Sequence, residues 1–202
     1  MVFEMRTEKP VEMNEHDMQC LSDICLAPYL QLGTSLIRKG RKAGGNMYRH
    51  QMDTFAILID YGYIDPILLK AAVIHDVVED VPDFDLNRIR NCDEDGEEVL
   101  KLVLEVTKRD GESKADFLKR ILKKGSQRAL ILKSADRISN MISLGYVTAP
   151  EFIERTCDDT EKYVLEMALM VDYNMCQELI SLFVSRYNYL NAIGYFDKKK
   201  AL

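Results

Sequence analysis

The chain has 202 residues, 47% of them hydrophobic, and a formal net charge of −6 at pH 7. That length and apolar content suit one domain with a substantial core, while the acidic balance excludes a protein that grips nucleic acid through a broadly basic surface. No apolar run approaches the ~20 residues of a membrane span, and the charges among the first ten residues are unlike a secretory leader. The expectation is a cytoplasmic protein with no membrane partner. Five cysteines (Cys20, Cys25, Cys92, Cys157, Cys176) are odd in number and never spaced as CxxC, so neither a disulfide framework nor a zinc ribbon is indicated; reduced, mostly buried thiols are expected.

Residues 1–15 are polar enough for a mobile arm. Leu21, Ile24, Cys25, Tyr29, Leu32 and Leu36 then form a three/four-spaced stripe, predicting a helix that ends in the basic, glycine-containing loop 38–45. A second helix is predicted over 50–59, stopped by the turn at Tyr61, Gly62 and Tyr63. A third begins at Asp65 and Pro66, an N-cap residue followed by a first-turn proline. It is almost wholly apolar as far as Ile74, the signature of a helix buried inside a bundle. Val99, Leu102, Val103 and Val106 mark one further helical face, and Phe117, Ile121 and Leu122 another, closed by Lys123, Lys124 and Gly125. The apolar run 129–135 leads directly into Asp136. From 150 to 195 the pattern is helical, with a break expected at 172–174, and the lysines at 198–200 read as a solvated end. The fold class is all-α. The divisions expected are an N-terminal arm or helix extension (1–20), a core (21–175) and a C-terminal helical extension (176–202).

Three of these apolar segments deliver ionisable groups. His50 opens one, His75 and Asp76 end another, and Asp136 follows a third. Charged groups placed after buried segments are costly unless paired or bound to a cation. Two imidazoles with two carboxylates suit a divalent transition metal such as Mn, Fe or Zn. On a continuous helix Glu79 would lie over His75 and Asp80 over Asp76, adding two carboxylates beside the ion.

The order His50, then His75 and Asp76, then Asp136 resembles the H…HD…D signature of HD-domain phosphohydrolases. HDVVED (75–80), EVTK (105–108) and KSADRISN (133–140) are similar to the HDxxED, VTK and KxADRxxN segments of RelA/SpoT-type alarmone hydrolases, over roughly residues 30–170. The length, with no room for a synthetase domain, is similar to the stand-alone small alarmone hydrolases. The resemblance implies an HD-domain helical bundle with a buried metal site and Mn²⁺ held by His50, His75, Asp76 and Asp136. It implies that Glu79 and Asp80 activate the attacking water, that Asn140 contacts the ribose, and that Arg38, Lys39, Arg41 and Lys42 form a basic loop bordering guanine and phosphates. Tyr163, with Thr160, falls where the family contacts distal phosphates.

The departures are specific. Gln51 stands where family members commonly have proline, and Met47 where they have tyrosine, with Tyr48 one residue on. Asp159 replaces an arginine one turn before Tyr163, leaving Arg155 or Lys162 as substitutes. The activity so implied is hydrolysis of the 3′-pyrophosphate of ppGpp or pppGpp to GDP or GTP plus pyrophosphate. Two alternatives stay open: an HD phosphohydrolase acting on another nucleotide, such as an NADPH 2′-phosphatase, and a non-catalytic helical module that binds an alarmone or a protein around a structural ion.

Overall fold

A computed structural model describes residues 12–200; most of the arm expected over 1–15 lies outside the described residues. In chain order the helices are α1 (Glu15–Asp23), α2 (Ala27–Gly33), α3 (Met47–Asp60), α4 (Pro66–Ala72), α5 (Val77–Asp80), α6 (Asn87–Arg90), α7 (Gly96–Val106), α8 (Lys114–Lys124), α9 (Gln127–Ser143), α10 (Pro150–Asp159), α11 (Leu165–Val171), α12 (Tyr173–Ala192) and α13 (Tyr195–Lys200). Among the described residues there is no strand, only an isolated bridge between Gly40 and Asn46. None of these helices is long and apolar enough to cross a membrane. The all-α expectation is met.

Helix starts follow local chemistry. Asn14 and Asp17 form a reciprocal capping box at α1. Asn46 caps α3, Asp65 caps α4 ahead of Pro66, and Ser126 caps α9. The stripe from Leu21 to Leu36 does not make one helix, however. α1 stops at Asp23, and Pro28 sits in the first turn of α2, where its missing N–H is harmless; mid-helix, its ring would clash with the carbonyl four residues earlier. A 3₁₀ turn at Thr34–Leu36 completes the segment.

The second correction bears on the chemistry. α4 ends at Ala72, and residues 73–76 form a turn. The Ala72 carbonyl accepts from His75 Nδ1 at 2.8 Å, and the Asp76 N–H donates to Gln51 Oε1 at 3.4 Å. These are the two groups that a continuing helix would have joined to each other. Gly33 approaches the same turn so closely that a Cβ there would lie 2.8 Å from the Val73 carbonyl oxygen. His75 therefore lies outside any helix and Glu79 does not stack above it, while Asp76 becomes the N-cap residue of α5, one turn before Asp80.

α9 is the axis of the bundle. Every residue from 129 to 139 is buried, and α3, α11 and α12 pack along it. Its inward face carries Lys133, Ser134, Asp136, Arg137 and Ser139 as well as Leu132 and Ile138. Such a polar content inside a core calls for partners. α8 closes before Gly125, whose Cβ position lies 2.4 Å from the Ile121 carbonyl oxygen; glycine is needed for that close approach, since its backbone is extended rather than left-handed.

The break expected at 172–174 is present, with Asp172 capping α12. α12 then runs continuously across 175/176. A π-helical turn at Thr160–Val164 joins α10 to α11, a feature the periodicity does not announce. The lysine tail is not simply solvated: Lys199 pairs with Glu154 at 2.6 Å, and Tyr195 donates to the same carboxylate. The thiols also differ from expectation. All five are free, but only Cys157 and Cys176 are buried, and Cys25 is exposed.

Candidate metal and substrate site

α3, the 73–76 turn and α9 bring His50, His75, Asp76 and Asp136 to one point. His50, His75 and Asp76 each offer one donor atom within 4.8 Å of the others. Asp136 Oδ1 lies 2.9 Å from His50 Nε2 and 3.8 Å from His75 Nε2, and Asp76 Oδ2 lies 3.7 and 3.4 Å from the same two nitrogens. The imidazole rings meet edge to face, with centroids 5.4 Å apart. The two histidines and Asp136 are each less than 5% exposed.

The imidazoles are oriented from behind. His75 Nδ1 faces the Ala72 carbonyl, which only accepts, so Nδ1 carries the proton and the neutral ring presents its Nε2 lone pair to the cluster. That Nε2 is buried without a hydrogen-bond partner. His50 Nδ1 meets Ser139 Oγ at 2.9 Å, which leaves its Nε2 for the same centre. An orphaned buried nitrogen, a second imidazole and two carboxylates converging from three segments fit a divalent cation, with supporting contacts of the kind that fix metal-binding histidines.

Electrostatics point the same way. Burial works against ionisation throughout. Even so, Asp76 and Asp136 raise the His75 pKa, and Lys133 with the two imidazoles holds Asp136 well below the usual carboxylate range. Asp76, opposed by burial and by Asp136, is lowered by His75 and His50. The carboxylates thus stay ionised and demand positive charge, which a cation supplies in place of imidazole protons.

His50, Asp76 and Asp136 of the cluster line a cavity of about 580 Å³, together with Arg41, Glu79, Lys114, Lys133, Arg137, Asn140, Phe152, Arg155 and Asp159. Five cations therefore share the cavity with these carboxylates, Lys133 being ion-paired with Asp136. Arg137 is buried, donates to the Thr156 carbonyl at 3.1 Å and to Thr160 Oγ1 at 3.2 Å, and keeps its Nε unpartnered. Burial lowers its pKa despite Asp136 and Asp159. Lys114 reaches solvent at the mouth, yet desolvation there, followed by the charges of Lys133 and Arg137, brings its pKa down to about 8. Cations so poorly compensated favour an anionic ligand.

The residues singled out in the sequence are distributed as follows. Asn140 lines the cavity, donating to Asp136 Oδ1 at 2.6 Å and accepting from Arg41 Nη2 at 3.0 Å. Glu79 lines it too, and accepts from the Lys108 backbone N–H at 3.3 Å. Asp80 is ion-paired with Lys39. Of the basic loop, only Arg41 reaches the wall; Lys42 lies over the Phe152 ring, 5.2 Å from its centroid, and Arg38 is exposed. Tyr163 packs partly buried against the core and is not among the lining residues. Sequence reasoning missed Lys114, which stands in an otherwise ordinary amphipathic helix, and gave Lys133 and Arg137 no role beyond their motif.

An all-helical bundle that buries this His/Asp cluster between its central helix and two neighbours has the HD-domain fold. The comparison of structures agrees: a solved structure described as a metazoan ortholog of SpoT that hydrolyses ppGpp superposes with a TM-score of 0.68, covering 87% of this chain and 98% of that one at 24% identity. A GTP pyrophosphokinase of Streptomyces coelicolor is 31% identical over 130 residues, which are 61% of this chain and 15% of that protein's length. The chain thus spans only a small part of that curated relative. No family model matches the sequence. The RelA/SpoT-type resemblance seen in the motifs is met again in both of these proteins.

Proposed function

We propose that the protein hydrolyses the 3′-pyrophosphate of guanosine alarmones, ppGpp or pppGpp, in a metal-dependent reaction with Mn²⁺ as the cation. The observation that carries this reading is the meeting, in one cavity, of His50, Asp76 and Asp136 from the His/Asp cluster with Arg41, Lys114, Lys133, Arg137 and Arg155. Donors suited to a cation beside side chains suited to several phosphates fit a highly charged phosphate ester. The solved structure that shares the fold belongs to a protein described as hydrolysing ppGpp, which supports the same substrate class.

His50, His75, Asp76 and Asp136 would hold the cation, which when bound supplies Lewis acidity toward a phosphoryl oxygen and lowers the pKa of water. The water oxygen attacks the phosphorus on the 3′ oxygen, that P–O bond breaks, and pyrophosphate leaves with GDP or GTP. Glu79 and Asp80 accept the proton of the attacking water, and a proton returns to the 3′ oxygen. Asp80 must first exchange its ion pair with Lys39, which an incoming phosphate promotes by competing for the lysine. Asn140 and Arg41 border the ribose and base, and Lys114, Arg137 and Arg155 offset the phosphate charge.

The test is product-resolved turnover of ppGpp at saturating Mn²⁺ by the wild type, Glu79→Gln and Asp80→Asn. Pyrophosphate release is expected from the wild type. In each variant kcat should fall by about 10² to 10⁴-fold, the usual contribution of a general base, with metal content unchanged. Wild-type protein that binds Mn²⁺ but releases no pyrophosphate refutes the reading. Orthophosphate release from NADPH instead would establish the 2′-phosphatase alternative.

A further inference from the structure

Gln51 is completely buried, one residue after His50 on α3, and its carboxamide closes on Asp76 at both ends. Nε2 donates to Asp76 Oδ2 at 2.9 Å, and Oε1 accepts the Asp76 backbone N–H at 3.4 Å. The oxygen it holds is the one turned toward both imidazoles, 3.4 Å from His75 Nε2 and 3.7 Å from His50 Nε2. Asp76 needs such a hold. It stands at the end of the 73–76 turn, where no helix fixes its backbone on the N-terminal side, and its side chain makes no capping bond to α5. Asp136, by contrast, belongs to a long buried helix and is gripped by Lys133, Asn140 and His50.

We infer that Gln51 is a positioning residue which sets the Asp76 carboxylate for cation binding, an inference that rests on the metal-site reading above. The chemistry suits the task. A neutral amide orients one lone pair of Oδ2 and leaves the others for a cation. It adds no charge that would compete with, or repel, the cation the carboxylates attract. By also taking the Asp76 N–H, it stabilises the turn that carries His75 and Asp76 out of α4. Gln51 thus couples the first histidine helix to the HD turn.

The experiment measures Mn²⁺ dissociation constants by electron paramagnetic resonance, alongside thermal melts of the metal-free proteins, so that turnover is not needed. Gln51→Met keeps length and apolar bulk while removing both hydrogen bonds. Its Mn²⁺ affinity should fall about 10- to 100-fold, the usual effect of losing a residue that orients a metal ligand. In an Asp76→Ala background the same substitution should change affinity less than about twofold, because the carboxylate it acts through is gone. A Gln51→Met protein with wild-type affinity overturns the inference, whatever its melting temperature. So does an undiminished effect in the Asp76→Ala background. If the methionine variant does not fold by circular dichroism, Gln51→Asn takes its place: its amide is one methylene short of Asp76, and the same loss is expected. Wild-type affinity in Asp76→Ala alone would instead remove the metal-site reading and the inference with it, so the two failures are distinguishable.

Discussion

Replacing Glu112 by Gln is expected to destabilise the protein in a way that pH reveals. Arg120 donates to Glu112 through Nε at 2.8 Å and Nη2 at 3.1 Å, and donates twice more, to the carbonyls of Glu105 and Thr107. This one guanidinium shapes the loop whose Lys108 N–H holds Glu79. Both side chains are only about one-seventh exposed, at 14% and 13%, so solvent screening is limited. The contact with Arg120 brings the Glu112 pKa from 4.5 down to about 2. At about 1.4 kcal/mol per unit, the carboxylate's ionised form contributes on the order of 3 kcal/mol at neutral pH. The sign follows from linkage. A carboxylate with a depressed folded-state pKa gives its full stabilisation above the unfolded value near 4.5, and loses it as pH falls toward 2. Urea unfolding of the wild type and Glu112→Gln, measured from pH 7 to pH 3, should show a difference of about 3 kcal/mol shrinking to about half at pH 3, since all other titrating groups cancel between the two proteins. A difference that stays constant over that range would show that the substitution acts through shape and not through the ion pair, and would refute the argument.

Three further outcomes are expected. His75→Ala and Asp136→Ala should each lose Mn²⁺ on dialysis, because each removes a buried donor from the cluster; elemental analysis showing full occupancy in either would count against the ligand set. Asn140→Ala should lower kcat/KM for a ribose-containing substrate by about 10- to 100-fold, equivalent to one site-directed hydrogen bond of roughly 1–3 kcal/mol, with metal content intact. Lys70→Met should lower stability by about 2–4 kcal/mol, read as a drop in Tm: the buried ammonium bonds Asp93 at 2.7 Å and Asp95 at 2.6 Å, and its loss leaves two carboxylates uncompensated. A melting curve matching the wild type would dismiss that last expectation.

Lys70 also shows where reading the sequence stops. The apolar periodicity of α3, α4 and α9 was visible because each helix buries a face whose residues are near neighbours in the chain, and that same periodicity located His50, the HD pair and Asp136 at the ends or within buried runs. Lys70 sits inside such a run, and nothing local says that an acidic loop more than twenty residues later will neutralise it. Lys114 is similar: it lines the cavity because α8 packs beside α9 and brings it near Lys133 and Arg137, and a solvated lysine looks the same in sequence. The turn at 73–76 is the most instructive case. Residues 66–74 have every local reason to continue as a helix into His75 and Asp76. What ends it are one local bond, with His75 taking the Ala72 carbonyl, and two contacts from elsewhere, with Gln51 taking the Asp76 N–H and Gly33 admitting the close approach of α2. A continuous helix would have pointed adjacent side chains about 100° apart. The interruption turns His75 Nε2 and Asp76 Oδ2 toward one centre, so the departure from regular helix is what assembles the site.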